Sequence, residues 1–216
     1  MYDIQENYSP SSVSEVLRLL AEHDGAILVD GGTDVMIRIR ERKLRQAVLI
    51  SIAGIRELQG IVMRPNGDIA IGAGTTFDEI YQSELIRKHV PALSYAANQV
   101  GSPQIRHAAT LGGNICNGAV SADSVPTLLA YNSRLEIAGK NGIETRALAG
   151  FHTGPGKVAL DPKAEILTAI VIPKPEYEDH FAAYFKFGQR NAMEIATLAC
   201  AVCLQLSQDR KSIEDL

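Results

Sequence analysis

The hydrophobic pattern of the first 55 residues alternates between helical spacing and short apolar runs. Apolar positions recur every three or four residues over 13–20, after the capping box Ser12-x-x-Glu15, and predict a helix. Residues 26–29 form a short apolar run, residues 35–42 return to helical spacing, and residues 47–50 form another apolar run. Apolar runs this short, bounded by turn residues, are typical of buried strands. The pattern therefore predicts a β-α-β unit over residues 1–55.

Beyond residue 60 the pattern changes to hairpins and shorter helices. The turn Asn66-Gly67 separates two apolar runs and predicts a hairpin, and Thr76-x-x-Glu79 opens a helical stretch that Pro91 interrupts. A helix over 91–99 precedes a long glycine-rich passage, 101–118, and we interpret the residues from Thr110 to Ser124 as a long loop. A second hairpin over 134–142 and an apolar strand over 165–172 follow. These elements predict a mixed α+β unit over residues 56–176.

The last part of the chain, residues 177–216, is expected to begin a third domain. The polar, proline-containing stretch 174–179 precedes it as a linker. Residues 183–187 and 195–206 are predicted strands. The expected fold class is α+β.

Composition and charge indicate a folded protein and argue against nucleic-acid binding and a membrane span. The chain of 216 residues is 46% hydrophobic and 21% charged, which excludes a disordered segment. Its net charge is −4 and it has no basic run, so we expect no nucleic-acid partner. No apolar run approaches the ~20 residues that a membrane-spanning helix needs, and the start lacks the features of a secretory signal. We therefore expect a cytoplasmic protein without a membrane span.

The spacing of the three cysteines does not predict a metal site. Cys200 and Cys203 are a lone C-x-x-C pair in a predicted strand, where side chains three residues apart face opposite sides. An odd number of cysteines also argues against a disulfide scaffold and fits a reducing compartment. Cys116 stands alone among glycines and polar residues, and the five histidines show no ligand spacing. We assign no catalytic and no metal-binding residue.

Two glycine pairs are the strongest candidate chemistry. Gly31-Gly32 lies between a predicted strand and a helix, where successive backbone N–H groups form a nest for anionic oxygens. Thr110-Leu111-Gly112-Gly113-Asn114 is a second pair, flanked by hydrogen-bonding side chains. Each motif alone is equally typical of a tight turn. Together, two separated donor-rich loops indicate an extended ligand with a diphosphate.

The known phosphate-binding fingerprints do not match this chain. In Gly72-x-Gly74-x-x-Phe77 the third glycine of the dinucleotide-binding motif is replaced by a large aromatic residue. No P-loop sequence occurs. Because acid–base and nucleophilic motifs are also lacking, the sequence favours chemistry carried by a bound cofactor.

The two glycine motifs, with Ala122-Asp123-Ser124 downstream, closely resemble the FAD-binding medium subunit of the molybdenum hydroxylases. This is the xanthine dehydrogenase and carbon monoxide dehydrogenase family, and residues 104–106 and 151–157 resemble its bacterial xanthine dehydrogenase branch. The resemblance covers nearly the whole chain. It implies a two-subdomain FAD-binding fold of the PCMH type, followed by the start of a C-terminal α+β domain.

The resemblance also implies which residues bind FAD. Asp123 would bind ribose hydroxyls of the adenosine part, Ile166 would pack beside the cofactor and Lys186 would place a positive charge near it. From the residues alone, Asp123 could instead be a helix cap. The residues alone favour a core position for Ile166 and a solvent-facing strand position for Lys186. The implied FAD-binding set is Ile27, Leu28, Val29, Asp30, Gly31, Gly32, Thr33, Asp34, Val100, Gly101, Thr110, Leu111, Gly112, Gly113, Asn114, Asp123, Ile166 and Lys186.

In this family the chemistry is divided among subunits. The resemblance implies a large partner subunit with the molybdenum cofactor and a small one with 2Fe–2S clusters, and electrons would leave through FAD to NAD⁺ or another acceptor. The three cysteines are too few to hold such clusters on this chain. Two alternatives stay open: a free-standing FAD-dependent reductase of related fold, and a cofactor-free assembly module.

The resemblance carries one further expectation about the third domain. Relatives continue into a compact C-terminal domain beyond the position of Leu216. We therefore expect the strand over 195–206 to lack its partner, either because the chain is a fragment or because another polypeptide completes the sheet.

Overall fold

The computed structural model describes residues 2–190 and 193–216. The strands in these ranges are β1 (Ile4–Tyr8), β2 (Ile27–Val29), β3 (Ala47–Ser51), β4 (Ile61–Met63), β5 (Ile69–Gly72), β6 (Arg134–Gly139), β7 (Gly142–Ala147), β8 (His152–Gly154), β9 (Lys157–Val158), β10 (Ile166–Ile172), β11 (His180–Phe187), β12 (Leu198–Leu206) and β13 (Ile213–Asp215). The helices are α1 (Val13–Glu22), α2 (Val35–Arg40), α3 (Phe77–Gln82), α4 (Glu84–His89), α5 (Pro91–Asn98), α6 (Pro103–Ala108), α7 (Leu111–Asn117) and α8 (Ser124–Ala130). Short 3-10 turns lie at Arg56–Leu58 and Lys174–Glu176.

A parallel three-stranded sheet forms the first part of the fold. Its strand order is β1-β3-β2, with α1 and α2 as the crossovers. Ser12 caps α1 by accepting a hydrogen bond from the Glu15 N–H, and Gly25 closes the return to β2 at φ +76°. The predicted helices and the strands β2 and β3 are confirmed, whereas the hydrophobic pattern did not predict β1.

A five-stranded antiparallel sheet forms the second part, in the order β4-β5-β10-β6-β7. The Asn66-Gly67 hairpin joins β4 to β5, with Gly67 at φ +88°, as predicted. The central strand β10 is almost completely buried and ends at Pro173. Its inner face packs with α3, α5, α7 and α8 into the largest core cluster. A second buried cluster joins the two units: it contains residues of α1, Ile50 of the parallel sheet, and Ala138 and Ile166 of the five-stranded sheet.

A third, antiparallel sheet has the order β11-β12-β13 and corrects one expectation. The predicted strand over 195–206 begins at Leu198, and it is paired on both sides: with β11 along its whole length and with β13 at its end. The prediction missed β13 because this strand is exposed and lacks an apolar pattern. Cys200 is exposed and Cys203 buried, which confirms that the C-x-x-C thiols face opposite sides.

The predicted linker over 174–179 is packed against the second sheet. Tyr177 is buried and its hydroxyl donates to the Gly67 carbonyl at 2.5 Å. The Lys174 N–H donates to Asp68 at 2.9 Å. Tyr184 and Cys203 of the third sheet belong to the same core cluster as the second sheet.

Candidate cofactor-binding site

A cleft of about 550 Å³ lies between the loop after β2, the start of α7 and the segment that leads into β10. That volume is in the range of small-molecule sites. Both glycine pairs line it, which confirms that the fold brings together two motifs some 80 positions apart in the sequence. The remaining walls come from β2, α3, α6 and residues 156–167.

The first glycine pair forms the turn from β2 into α2. Gly32 has φ +69°, a conformation that favours glycine. Gly31 is required for a different reason: a Cβ there would lie 1.7 Å from the carbonyl oxygen of Ala108, at the end of α6. In the part of the chain that the structure describes, the backbone N–H groups of residues 31–34 donate to no other protein group. This loop therefore offers several backbone donors to a ligand with anionic oxygens.

The second glycine pair is not in a loop, as we had expected from the sequence, but in the first turn of α7. Thr110 is the N-cap, and its hydroxyl oxygen accepts a hydrogen bond from the Gly113 N–H at 3.2 Å. The Leu111 N–H donates to Thr75 and the Gly112 N–H to Ala73, both to backbone carbonyls. These backbone donors are thus taken by the protein itself. The expectation that the second glycine pair is also a loop with free backbone donors is wrong.

Close packing explains Gly112, while Gly113 faces the cleft. A Cβ on Gly112 would lie 2.6 Å from the Cβ of Ala73, so helix α7 approaches the strand end closely only with glycine there. A Cβ on Gly113 would meet only the hydroxyl of Thr110, at 2.9 Å. Gly113 is exposed and Gly112 is buried. Gly112 thus allows α7 to pack closely against the end of β5, and Gly113 leaves space for a ligand in the cleft.

At the end of the cleft formed by the start of α7, where the backbone N–H groups are bonded within the protein, side chains offer hydrogen bonds to a ligand. Ser124 donates to Oδ1 of Asn114 at 2.7 Å, which leaves the Asn114 NH₂ group as the end available to a ligand. Asn117 and the hydroxyl of Thr110 also line the cleft. This end therefore suits ribose or ribityl hydroxyls as well as carbonyl oxygens.

The charged side chains around the cleft are mostly acidic. Asp30, Asp34 and Glu165 line it, against the single cation Arg38 among the described lining residues. Burial, and to a smaller extent the nearby Glu79, raises the pKa of Asp30 to about 6. The hydrogen bond from Arg146 lowers the pKa of Glu165 and neutralises this carboxylate.

The rest of the lining is largely apolar. It would accept a flat aromatic ring system, since burial of apolar surface is the main source of affinity in such clefts. Cys116 lies in this wall, and burial raises the pKa of its thiol to about 12. The larger apolar side chains of the lining are Ile27, Leu28, Val35, Ile52, Phe77, Val100, Ile105, Leu160, Pro162, Ile166 and Leu167.

Most of the residues that the sequence assigned to FAD line the cleft, and five do not. The lining set is Ile27, Leu28, Asp30, Gly31, Gly32, Thr33, Asp34, Val100, Thr110, Gly112, Gly113, Asn114 and Ile166. Leu111 is fully buried in the main core, and Val29 packs against the cluster around Ile39. Gly101 is outside the lining but next to Val100.

Asp123 and Lys186 lie behind the cleft and contact each other. Oδ2 of Asp123 accepts from the Lys186 ammonium at 2.9 Å, and Oδ1 accepts from the Tyr184 hydroxyl at 2.7 Å. Lys186 also donates to the Gln99 carbonyl at 3.1 Å. Gln99 precedes Val100, so this buried cluster holds a part of the wall.

Several lining residues were missed by the sequence reading. Arg38 lies one helical turn after Asp34, and this i, i+4 spacing was a usable signal. Asn117 follows the second motif closely. Glu165 and Leu160 come from the segment before β10, which reaches the cleft only through the sheet topology.

Within residues 2–190 and 193–216, no group of three or more His, Cys, Asp or Glu side chains is arranged to hold a metal ion. None of the helices described is long and apolar enough to cross a membrane.

The cleft fits the FAD that the resemblance implies. It offers free backbone donors at residues 31–34, hydroxyl and amide donors near Asn114, and a long apolar wall between them. A dinucleotide with a planar ring system requires this combination of groups.

Comparison with known proteins agrees with this fit. Residues 3–175 match the protein family described as the FAD binding domain in molybdopterin dehydrogenase. The xanthine dehydrogenase FAD-binding subunit of Escherichia coli O157:H7 is 40% identical over 206 residues, which cover 95% of this chain and 70% of that protein. The nicotinate dehydrogenase FAD-subunit of Eubacterium barkeri is 32% identical over 206 residues, which cover 93% of this chain and 69% of that protein.

Solved structures show the same fold. A chain of carbon monoxide dehydrogenase from Hydrogenophaga pseudoflava superposes with a TM-score of 0.91 and 28% identity, over 99% of this chain and 72% of that chain. Quinoline 2-oxidoreductase from Pseudomonas putida 86 has a TM-score of 0.88 at 20% identity, over 96% of this chain and 70% of that one. The chain therefore belongs to the family of FAD-binding domains of the molybdopterin dehydrogenases.

Proposed function

We propose that this chain is the FAD-binding electron-transfer subunit of an oxidoreductase complex of the molybdenum hydroxylase type, of the xanthine or purine dehydrogenase kind. The observation that carries the proposal is the cleft in which the free N–H groups of residues 31–34 face the hydroxyl and amide groups near Asn114. The 40% identity to an E. coli xanthine dehydrogenase FAD-binding subunit supports the purine branch.

The first glycine loop is the proposed diphosphate site. Its backbone donors are free in the described structure, and Arg38 adds one positive charge at the same end of the cleft. Thr110 and Asn114 are the proposed side-chain partners at the other end. Val100 and Ile166 supply apolar contact.

Asp123 and Lys186 have a proposed role behind the site. Both oxygens of Asp123 already accept hydrogen bonds from protein groups, and Lys186 binds the carbonyl before Val100. The pair therefore positions the Val100–Gly101 segment for the cofactor.

A bound flavin supplies redox chemistry, because it accepts and releases electrons singly or in pairs. The chain's own residues bind and orient it and exclude water from its apolar face. The proposed partners are a large subunit with the molybdenum cofactor and a small subunit with 2Fe–2S clusters, and the electron acceptor is NAD⁺ or another carrier. Cys200 and Cys203 face opposite sides of β12 and do not combine with Cys116 into a cluster site.

The proposed domain division follows the three larger sheets. Residues 1–55 contain the parallel sheet and residues 56–176 the five-stranded one, as two FAD-binding subdomains with the cleft between them. Residues 177–216 contain the third sheet.

Flavin content tests the proposal directly. The purified chain should carry about one FAD, measured by visible absorbance against protein concentration, or take it up when FAD is added. Copurification with molybdenum- and iron-containing chains separates a subunit from a free-standing reductase. A chain that binds no FAD under either condition would be the cofactor-free module instead.

A further inference from the structure

Asp30 occupies an unusual place at the cleft. It follows the last residue of β2, directly before the glycine pair, and it lines the cleft while being half-buried. Its Oδ2 lies 3.0 Å from the position that a Cβ on Gly74 would take, so the carboxyl packs against the backbone of that glycine. No hydrogen-bond donor and no cation pairs with this carboxyl in the part of the chain that the structure describes.

The charged groups on the surrounding elements do not neutralise the negative charge of an ionised Asp30 carboxylate. Glu79 on α3 adds negative charge, although its carboxylate is engaged by the Thr76 N–H and hydroxyl. Asp78 on α3 is paired with His107 on α6 at 3.3 Å. The other charged lining residues near this end are Asp34 and Arg38. Arg56 and Glu57 belong to the 3-10 turn whose Leu58 contacts Gly74, and both are exposed.

An anionic ligand increases the excess of negative charge around Asp30. The proposed diphosphate site begins at Gly31, the residue after Asp30, and a diphosphate brings further negative charge next to a carboxyl that already lacks a partner. Like charges at short distance favour the neutral form of a carboxyl group. A neutral carboxyl also has an O–H group, which donates to an anionic oxygen where a carboxylate repels it.

We propose that the Asp30 carboxyl holds a proton when FAD occupies the cleft, so that FAD binding takes up a proton and is controlled by pH through this one side chain. The inference rests on the proposed function, because it assumes FAD in this cleft. It makes Asp30 a positioning residue that sets the conditions under which the cofactor is retained.

The sign of the pH dependence follows from the two protonation states. Burial raises the pKa of Asp30 to about 6 in the free protein. The negative charge of the diphosphate would raise it further in the complex. Below the free pKa the carboxyl is already neutral, so affinity for FAD is constant. Above it, binding must recruit a proton, and affinity falls by up to about tenfold per pH unit until the pKa of the complex is reached.

The experiment measures the Kd for FAD by fluorescence titration of the flavin-free chain across about pH 5 to 9, with Asp30→Asn as the main variant. Asparagine resembles the neutral carboxyl in shape and does not titrate. We expect wild-type affinity to fall above pH about 6. We expect Asp30→Asn to bind with nearly constant affinity and to exceed the wild type at the alkaline end. Asp78→Asn is the matched control, because Asp78 is a carboxylate in the first turn of α3 and outside the cleft lining. This variant should keep the wild-type slope.

A second readout does not depend on any variant folding. Calorimetric titration of wild-type chain with FAD in buffers of different ionisation enthalpy reports the protons taken up, and we expect uptake near neutral pH that vanishes at acidic pH. FAD binding without uptake, or a pH slope that survives in Asp30→Asn, overturns this inference and leaves the proposed function standing. Failure to bind FAD at any pH overturns both.

Discussion

The ammonium of Lys186 lies 2.9 Å from Oδ2 of Asp123, in an ion pair whose two side chains are only 6% and 8% exposed. The pair connects β11 of the third sheet to the residue that precedes α8. Because Lys186 also donates to the Gln99 carbonyl, it ties both elements to the wall of the cleft. The third sheet thus contributes to the cofactor site without lining it.

Replacing Lys186 with methionine should strongly destabilise the chain. Asp123 would stay buried without its cation, and breaking a buried pair from one side costs about 3–5 kcal/mol. Chemical denaturation followed by circular dichroism measures the free energy of unfolding. Lys174→Met is the control, because its pair with Glu178 at 3.0 Å is exposed and exposed pairs contribute about 0–1 kcal/mol. Equal losses in the two variants would contradict a structural role for the buried pair.

Gly31→Ala should lower both stability and FAD binding. The new methyl group would collide with the Ala108 carbonyl, so the loop or the end of α6 has to move, at about 1–3 kcal/mol. Thermal unfolding and FAD titration measure the two effects. Gly54→Ala is the matched control, since a Cβ there has no atom within 4 Å and its φ is not positive. If Gly31→Ala retains wild-type stability and affinity, the close approach of the loop to α6 is wrong.

The three cysteines should differ in reactivity toward a thiol reagent at neutral pH. Burial raises the pKa of Cys116 to about 12 and that of Cys203 to about 11, so both are almost entirely protonated and slow. Cys200 is exposed and should react first. Time-resolved labelling with mass spectrometry assigns each site. Fast labelling of Cys116, or a disulfide between Cys200 and Cys203 in the native chain, would contradict the structure.

The parts of the site that depend on local sequence were predictable. The order of short strand, glycine pair and helix at residues 26–42 is a local signal, and the structure has each element there. The passage around Gly112 was mistaken for a loop because glycine has low helix propensity, which tertiary packing against Ala73 overrides here.

Contacts between distant segments could not be predicted from periodicity. Asp123 and Lys186 are 63 positions apart in the sequence. Considered singly, Asp123 resembles a helix cap and Lys186 a surface residue. The same limit applies to Glu165, which reaches the cleft because β10 is the central strand of its sheet. Family resemblance had marked Asp123 and Lys186, but the structure was needed to show that they contact each other.

A structure of the chain with FAD bound would show where the cofactor lies. We expect FAD in the cleft between the two glycine pairs, with diphosphate oxygens within hydrogen-bond distance of the backbone N–H groups of residues 31–34. FAD bound elsewhere, or a diphosphate held by other groups while these N–H groups stay free, would contradict this expectation.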